Sequence, residues 1–287
     1  MPIAVIAFDF DPLLRLADGL VVRWQTVALV AIVAAALVVA GLIARRDGLR
    51  LDDLLFIAVA TVPGAVLGGR LGYVLLHLDY YRANTTAVLD PGQGSLELAL
   101  AIVGGTLSGS YVAALLGAPI GRWLRETALP LLFMLGAGKL AMVLGGSGQG
   151  RPSDLAWATA YVGAGSWGSL APELPSHPSQ AYEGIATLVI LTALGLTLAA
   201  GTFRERDGRL FFVALGAWAV ARAAVSLTWR DPSVVGGLGA AGLIALAIAL
   251  GCTVATVVVA RRRPGSDGQD TAQPEIAWAD PATRPRF

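Results

Sequence analysis

The chain has 287 residues, of which 55% are hydrophobic and only 14% charged, with a net charge of +1. Soluble domains carry roughly 25% charged residues. This composition, with a mean hydropathy of +0.67, therefore excludes an ordinary soluble domain and points to a polytopic membrane protein. The single cysteine, Cys252, excludes an intrachain disulfide framework or a cysteine metal site, and its apolar surroundings read as packing.

Residues 1–20 hold Asp9 and Asp11, no basic stretch and no small-residue cleavage site, so they are not expected to be a cleavable signal. A membrane-crossing helix needs about 20 mostly apolar residues. Seven stretches qualify: 22–44, 54–78, 95–116, 127–146, 180–201, 209–228 and 236–260. Backbone groups in lipid must pair internally, so an all-α fold is expected for residues 1–263. Arginine in short loops sets the orientation. One set of connections holds Arg45, Arg46 and Arg50, then Arg122 and Arg125, then Arg204, Arg206 and Arg209, and finally Arg261, Arg262 and Arg263; the other set is poorer in arginine. The first set is expected to be cytoplasmic, with the N-terminus outside and the C-terminus inside.

The connection 147–179 then faces outward, and its Trp157, Tyr161 and Trp167 suit a membrane interface. Residues 264–287, rich in Pro, Gly, Asp and Gln, are expected to form a disordered cytoplasmic tail. Gly64 with Gly68, and Gly105 with Gly109, have the spacing of close helix contacts.

Four ionisable residues fall inside the spans or at their mouths: Arg70, Lys139, Glu183 and Arg222. A charge at mid-membrane costs about 2.5–3.5 kcal/mol on insertion scales, so these four should face a polar interior. Three are cations, and that surplus suits an anionic guest such as a phospholipid phosphate, which Arg binds bidentately and Lys as a point charge. Lys139 is the only lysine in the chain.

The fifth span opens on S-H-P-S-Q-A-Y-E-G, Ser176 to Gly184. A helix start accounts for its prolines, with Ser176 or His177 as cap and Glu183 near the positive end of the dipole. It does not account for His177, Gln180, Tyr182 and Glu183 together. H-P-S-Q-A-Y-E closely resembles the H-P-S-Q-L-Y-E motif of bacterial prolipoprotein diacylglyceryl transferases. G-G-R-L-G-Y-V-L around Gly69 and Arg70, G-R-P-S-D-L-A-W-A from Gly150, F-D-P at Phe10 with Trp24, and A-R-A-A-V-S-L-T-W-R-D-P from Ala221 resemble further segments of that family. The resemblance covers roughly residues 9–260.

The resemblance implies a seven-span enzyme of lipoprotein maturation in the bacterial cytoplasmic (inner) membrane. It would move diacylglyceryl from phosphatidylglycerol to the lipobox cysteine of a prolipoprotein, with glycerol phosphate leaving. It implies catalytic roles for His177, Lys139 and Arg222. Substrate contacts would come from Arg70, Gly69, Gly104, Gly105, Gly150, Arg151, Gln180, Tyr182 and Glu183. Glu183 is expected to pair with Arg70 or Arg222. No cofactor, metal or nucleic-acid partner is expected, since two distant histidines and no acidic pair offer no ligand spacing.

The sequence departs from the family pattern at chemically important positions. Val103 stands where histidine is expected, Lys139 for arginine, Met142 for asparagine, Ser147 for glutamate and Gln25 for tyrosine, and Ser226 lies near an expected glutamate. A transferase would need another base, with His177 first and His77 second. The alternative is a relative that binds an anionic phospholipid without chemistry.

Overall fold

The computed structural model describes residues 5–17, 19–90 and 94–261. The tail expected at 264–287 lies outside the described residues.

Three short strands come first: β1 (Ile6–Phe8), then β2 (Leu13–Ala17) and β3 (Leu20–Arg23), which pair antiparallel as a hairpin. Helices α1 (Trp24–Arg46) and α2 (Leu51–Leu76) follow, then a short α3 (Leu78–Ala83), α4 (Leu98–Leu115) and α5 (Ile120–Ala141). A 3₁₀ turn over Met142–Gly145 leads into a long connection containing β4 (Thr159–Tyr161). Helices α6 (Ser179–Ala199) and α7 (Arg209–Ser226), the hairpin β5 (Ser233–Val235) with β6 (Leu238–Gly239), and α8 (Ala240–Arg261) complete the order.

Seven of these helices among the described residues, all except α3, are long and apolar enough to cross a membrane. At about 1.5 Å per residue, even the 18-residue α4 and α7 approach the ~30 Å of a hydrocarbon core. The fourth span starts at Ile120 rather than 127, so Arg122, Arg125 and Glu126 lie in helix rather than in a loop. Their charges are matched there. Arg125 pairs with Glu126 and lies 3.5 Å from Asp47, Arg122 donates to the Asp47 carbonyl, and Arg206 reaches Asp47 at 3.2 Å.

Helix alternation puts the strands, α3 and the 146–178 connection at one end of the bundle. The three short connections lie at the other. β1 pairs parallel with β4, tying the N-terminal segment to the long connection. Tyr161, expected at a lipid interface, is instead fully buried, stacked on Phe8 at 5.1 Å and against Trp167 at 4.8 Å. The loop end has a small core of its own, which hydropathy along the chain does not reveal. Burial pushes the Tyr161 phenol up to about 12, so it stays a hydrogen-bonding OH at neutral pH.

Helix packing follows the small residues. A Cβ on Gly64 would lie 2.4 Å from the Gly104 carbonyl oxygen, and one on Gly104 would lie 2.1 Å from that of Gly64, so α2 and α4 touch backbone to backbone. Gly136 of α5 and Gly184 of α6 approach each other in the same way, each with the other's carbonyl near its missing Cβ. The main apolar core, with Trp218 and Leu132 at its centre, joins α4, α5, α7 and α8.

Candidate active site

Lys139 is in the last turn of α5, Glu183 in the second turn of α6 and Arg222 just before the last turn of α7. All three are therefore near the loop-rich end of their helices. The Gly136–Gly184 contact draws α5 against α6 one turn from Lys139, which lets the ammonium reach Glu183 at 2.9 Å. Arg222 donates to the other oxygen of the same carboxylate at 2.7 Å. Its second amine lies 3.2 Å from Glu97 at the start of α4. Glu97 also caps α4, accepting from the Ala99 and Leu100 amides at 2.9 and 2.7 Å. Trp229 and Trp218 lie 4.6 and 5.6 Å from the Arg222 guanidinium carbon, within cation–π range.

The cluster holds two cations and two carboxylates. The cationic surplus expected from the sequence does not exist within it, for two reasons. Glu97 contributes an anion that the sequence reading passes over, although the span drawn at 95–116 contains it. Arg70 is elsewhere, donating to the carbonyls of Val88, Ala87 and Asp90 at 2.7, 2.6 and 3.0 Å and lying 5.3 Å from the Tyr81 ring. Glu183 thus pairs with Arg222, as one of the two expected pairings has it, and with Lys139 rather than Arg70. Glu183, Arg222 and Glu97 are buried, while the Lys139 side chain keeps 15% exposure. Burying a charge is expensive unless it is paired, so the four residues stabilise one another.

Other expected site residues are bonded together at the same loop-rich end. Gly150 donates to the His177 carbonyl at 2.8 Å, His177 donates to the Arg151 carbonyl at 2.9 Å, and Arg151 donates to that of Thr228 at 2.8 Å. A Cβ on Gly150 would collide with Ser179 Oγ at 2.1 Å, which explains glycine there. Gln180 bonds the Tyr161 hydroxyl at 3.0 Å, and Trp157 donates to that of Tyr182 at 2.7 Å. The Nδ1 of His177 is buried with no hydrogen-bond partner among the described residues. Burial, and then the Arg151 charge, hold this imidazole below its ordinary 6.5, so it is neutral at pH 7. Neither Ser176 nor His177 caps α6: Pro178 holds that position, and Ser176 Oγ donates to Leu174.

Three of the residues expected to contact substrate lie in the packing of α2 with α4. Gly104 and Gly105 face α2, and Gly69 accepts from the Glu97 amide at 2.8 Å while facing Leu96 and Ala101. His77 ends α2, its Nδ1 2.9 Å from the Tyr73 carbonyl and its ring stacked on Tyr73. Two departures from the family pattern meet each other: Ser147 donates to the Gln25 amide oxygen at 2.9 Å. Arg230 ties Gly150, Gln149 and Ser176 together. The sequence reading does not single it out, although it stands in the quoted segment from Ala221.

A multi-span membrane protein with a paired charge cluster beneath a folded loop cap is the class these features define. The sequence model of the prolipoprotein diacylglyceryl transferase family matches residues 12–259. The phosphatidylglycerol–prolipoprotein diacylglyceryl transferase of Geobacter sulfurreducens is 29% identical over 267 residues, covering 89% of this chain and 97% of the relative. That of Bordetella avium is 33% identical over 220 residues, covering 74% and 78%, and that of Nostoc sp. 27% over 276, covering 93% and 96%. The chain belongs to the prolipoprotein diacylglyceryl transferase family.

Proposed function

We propose that this chain transfers diacylglyceryl from phosphatidylglycerol to a prolipoprotein cysteine, the reaction for which its relatives are named. The observation that carries this reading is the Lys139–Glu183–Arg222–Glu97 cluster, buried within the span of a family match that runs over most of the chain. Lys139 and Arg222 supply the positive charge that a departing phosphate needs. Trp229 walls the site beside them. His177, Gln180 and Tyr182 line its mouth, with Gly150 and Arg151 bracing the loop. Arg70 shapes the 77–90 segment beside the site.

We further propose that the protein sits in the cytoplasmic membrane with its loop-rich end outward. Arginine crowding at the opposite end supports that orientation: Arg45, Arg46, Arg50, Arg122, Arg125, Arg204, Arg206 and Arg209 all lie there. The substitutions at Val103, Met142 and Ser147 are what favour the second reading, lipid binding without chemistry.

Purified protein given phosphatidylglycerol and a lipobox peptide is expected to release glycerol phosphate only when both are present. Arg222→Ala should lower that rate by about 10²–10³, the usual effect of removing one transition-state donor. Phosphatidylglycerol retained through purification, with no glycerol phosphate released, would establish the second reading instead.

A further inference from the structure

The geometry points to Glu183 as the acceptor of the thiol proton, freed for that role when the lipid phosphate takes its place on Lys139 and Arg222; this rests on the transferase reading above. The two carboxylates of the cluster are held differently. Glu97 is fixed by two backbone amides as well as by Arg222. The carboxylate contacts of Glu183 are Lys139 and Arg222, one on each oxygen. Glu183 is therefore the anion that an incoming phosphate can replace. Arg222 is ready for the exchange: its Nε is buried and has no hydrogen-bond partner among the described residues. Lys139, with its residual exposure, marks the side from which a guest arrives.

Charge balance then dictates the proton transfer. A phosphodiester carries one negative charge into a cluster whose charges already cancel. A buried carboxylate stripped of its counter-charges takes up a proton, and the cysteine thiol has one to give. Glu183 takes the S–H proton, and the thiolate sulfur attacks the glyceryl carbon that bears the phosphate. The C–S bond forms as the C–O bond breaks, its electron pair passing to the phosphate oxygen, where Lys139 and Arg222 stabilise it. The proton then moves from Glu183 to the leaving glycerol phosphate, and the carboxylate returns to its cations.

The groups facing Glu183 are Lys139 from α5, Arg222 from α7 and, across Arg222, Glu97 from α4, with Trp229 just beyond α7. His177 is placed differently. It precedes the cap of α6, six residues before Glu183 and on its loop side, with its ring against Tyr182.

The test compares two lipobox peptides, one with cysteine and one with selenocysteine, whose selenol is already ionised at neutral pH and needs no base. Glu183→Gln, checked for its melting curve and for phosphatidylglycerol retention, should lose about 10²-fold or more with the cysteine peptide. It should recover most of the wild-type rate with selenocysteine. A folded Glu183→Gln that turns over cysteine normally, or that fails equally with both peptides, overturns the proposal. So does the selective rescue appearing in His177→Ala instead. If Glu183→Gln does not fold, wild-type pH profiles decide. An acidic fall in rate seen with cysteine and absent with selenocysteine supports the proposal, and the same fall with both overturns it. Wild-type protein inactive on both peptides would overturn the transferase reading itself.

Discussion

Lys139 and Arg222 converge on one carboxylate, and Arg222 alone reaches the second. Arg222→Ala therefore leaves two buried carboxylates with one cation between them, a loss of about 3–5 kcal/mol where a buried pair is broken. Glu97→Gln should be milder, because its amide oxygen still accepts from one of the two backbone amides, Ala99 or Leu100. It loosens Arg222, so transfer should fall more than the melting temperature does. Paired rate and melting measurements on the two variants check that order. His177 gives a pH prediction. Its folded-state imidazole is depressed below 6.5 by burial and then by Arg151, so the unfolded chain binds that proton more readily. The stability His177 contributes is present above about pH 6.5 and is lost as the pH falls through the lower folded value. Arg151→Ala should raise the His177 midpoint seen by NMR without restoring 6.5, because burial remains; an unchanged midpoint would remove Arg151 as a cause. Charges in an apolar sequence made Lys139, Glu183 and Arg222 legible. Glu97 was legible by the same rule but sits at a helix start, where an acidic cap is an ordinary sight. The Ser147–Gln25 bond joins residues 122 apart, and nothing local announces it.

At the level of elements, the contact of α2 with α4 depends on absent side chains. Gly104→Val places a branched side chain where even a Cβ would lie 2.1 Å from the Gly64 carbonyl. Overpacking of this kind costs about 1–3 kcal/mol, and here backbone rather than a side chain must move, so the upper end is expected. Gly195→Ala in α6 is the contrast. Its Cβ meets nothing within 4 Å, and alanine should stabilise the helix by up to about 1 kcal/mol. Thermal unfolding in one detergent separates the two, and equal melting temperatures would contradict the packing account. Helix existence and order were readable from hydropathy because lipid leaves helices as the default. Span ends were less so. The start of α5 at Ile120 depends on Asp47, itself paired with Arg206, meeting Arg125 and Arg122 from a distant loop, and a hydropathy window sees those arginines only as a stop. The glycine pair 64 and 68 was visible by spacing. The Gly136–Gly184 contact, which brings Lys139 to Glu183, links two helices and has no spacing to read.

Across the whole molecule, the two ends of the bundle do different work. The short-connection end is closed by the Asp47, Arg122, Arg125 and Arg206 network. The other end carries β1 on β4, the buried Tyr161 and the charge cluster beneath them. The strands of this cap were not legible, because three-residue pairings between residues 6–8 and 159–161 leave no periodic trace. The family motifs were legible because they carry the charges and polar groups of the loop-rich end, and their departures at Val103, Met142 and Ser147 make activity the point to test. The most direct test is the mass of a lipobox peptide incubated with the purified protein and phosphatidylglycerol. The account predicts a gain of one diacylglyceryl group on the cysteine sulfur, formed about 10²–10³-fold more slowly by Arg222→Ala and slowed in Lys139→Ala as well. An unmodified peptide with folded wild-type protein, or modification at the wild-type rate in both variants, would contradict it.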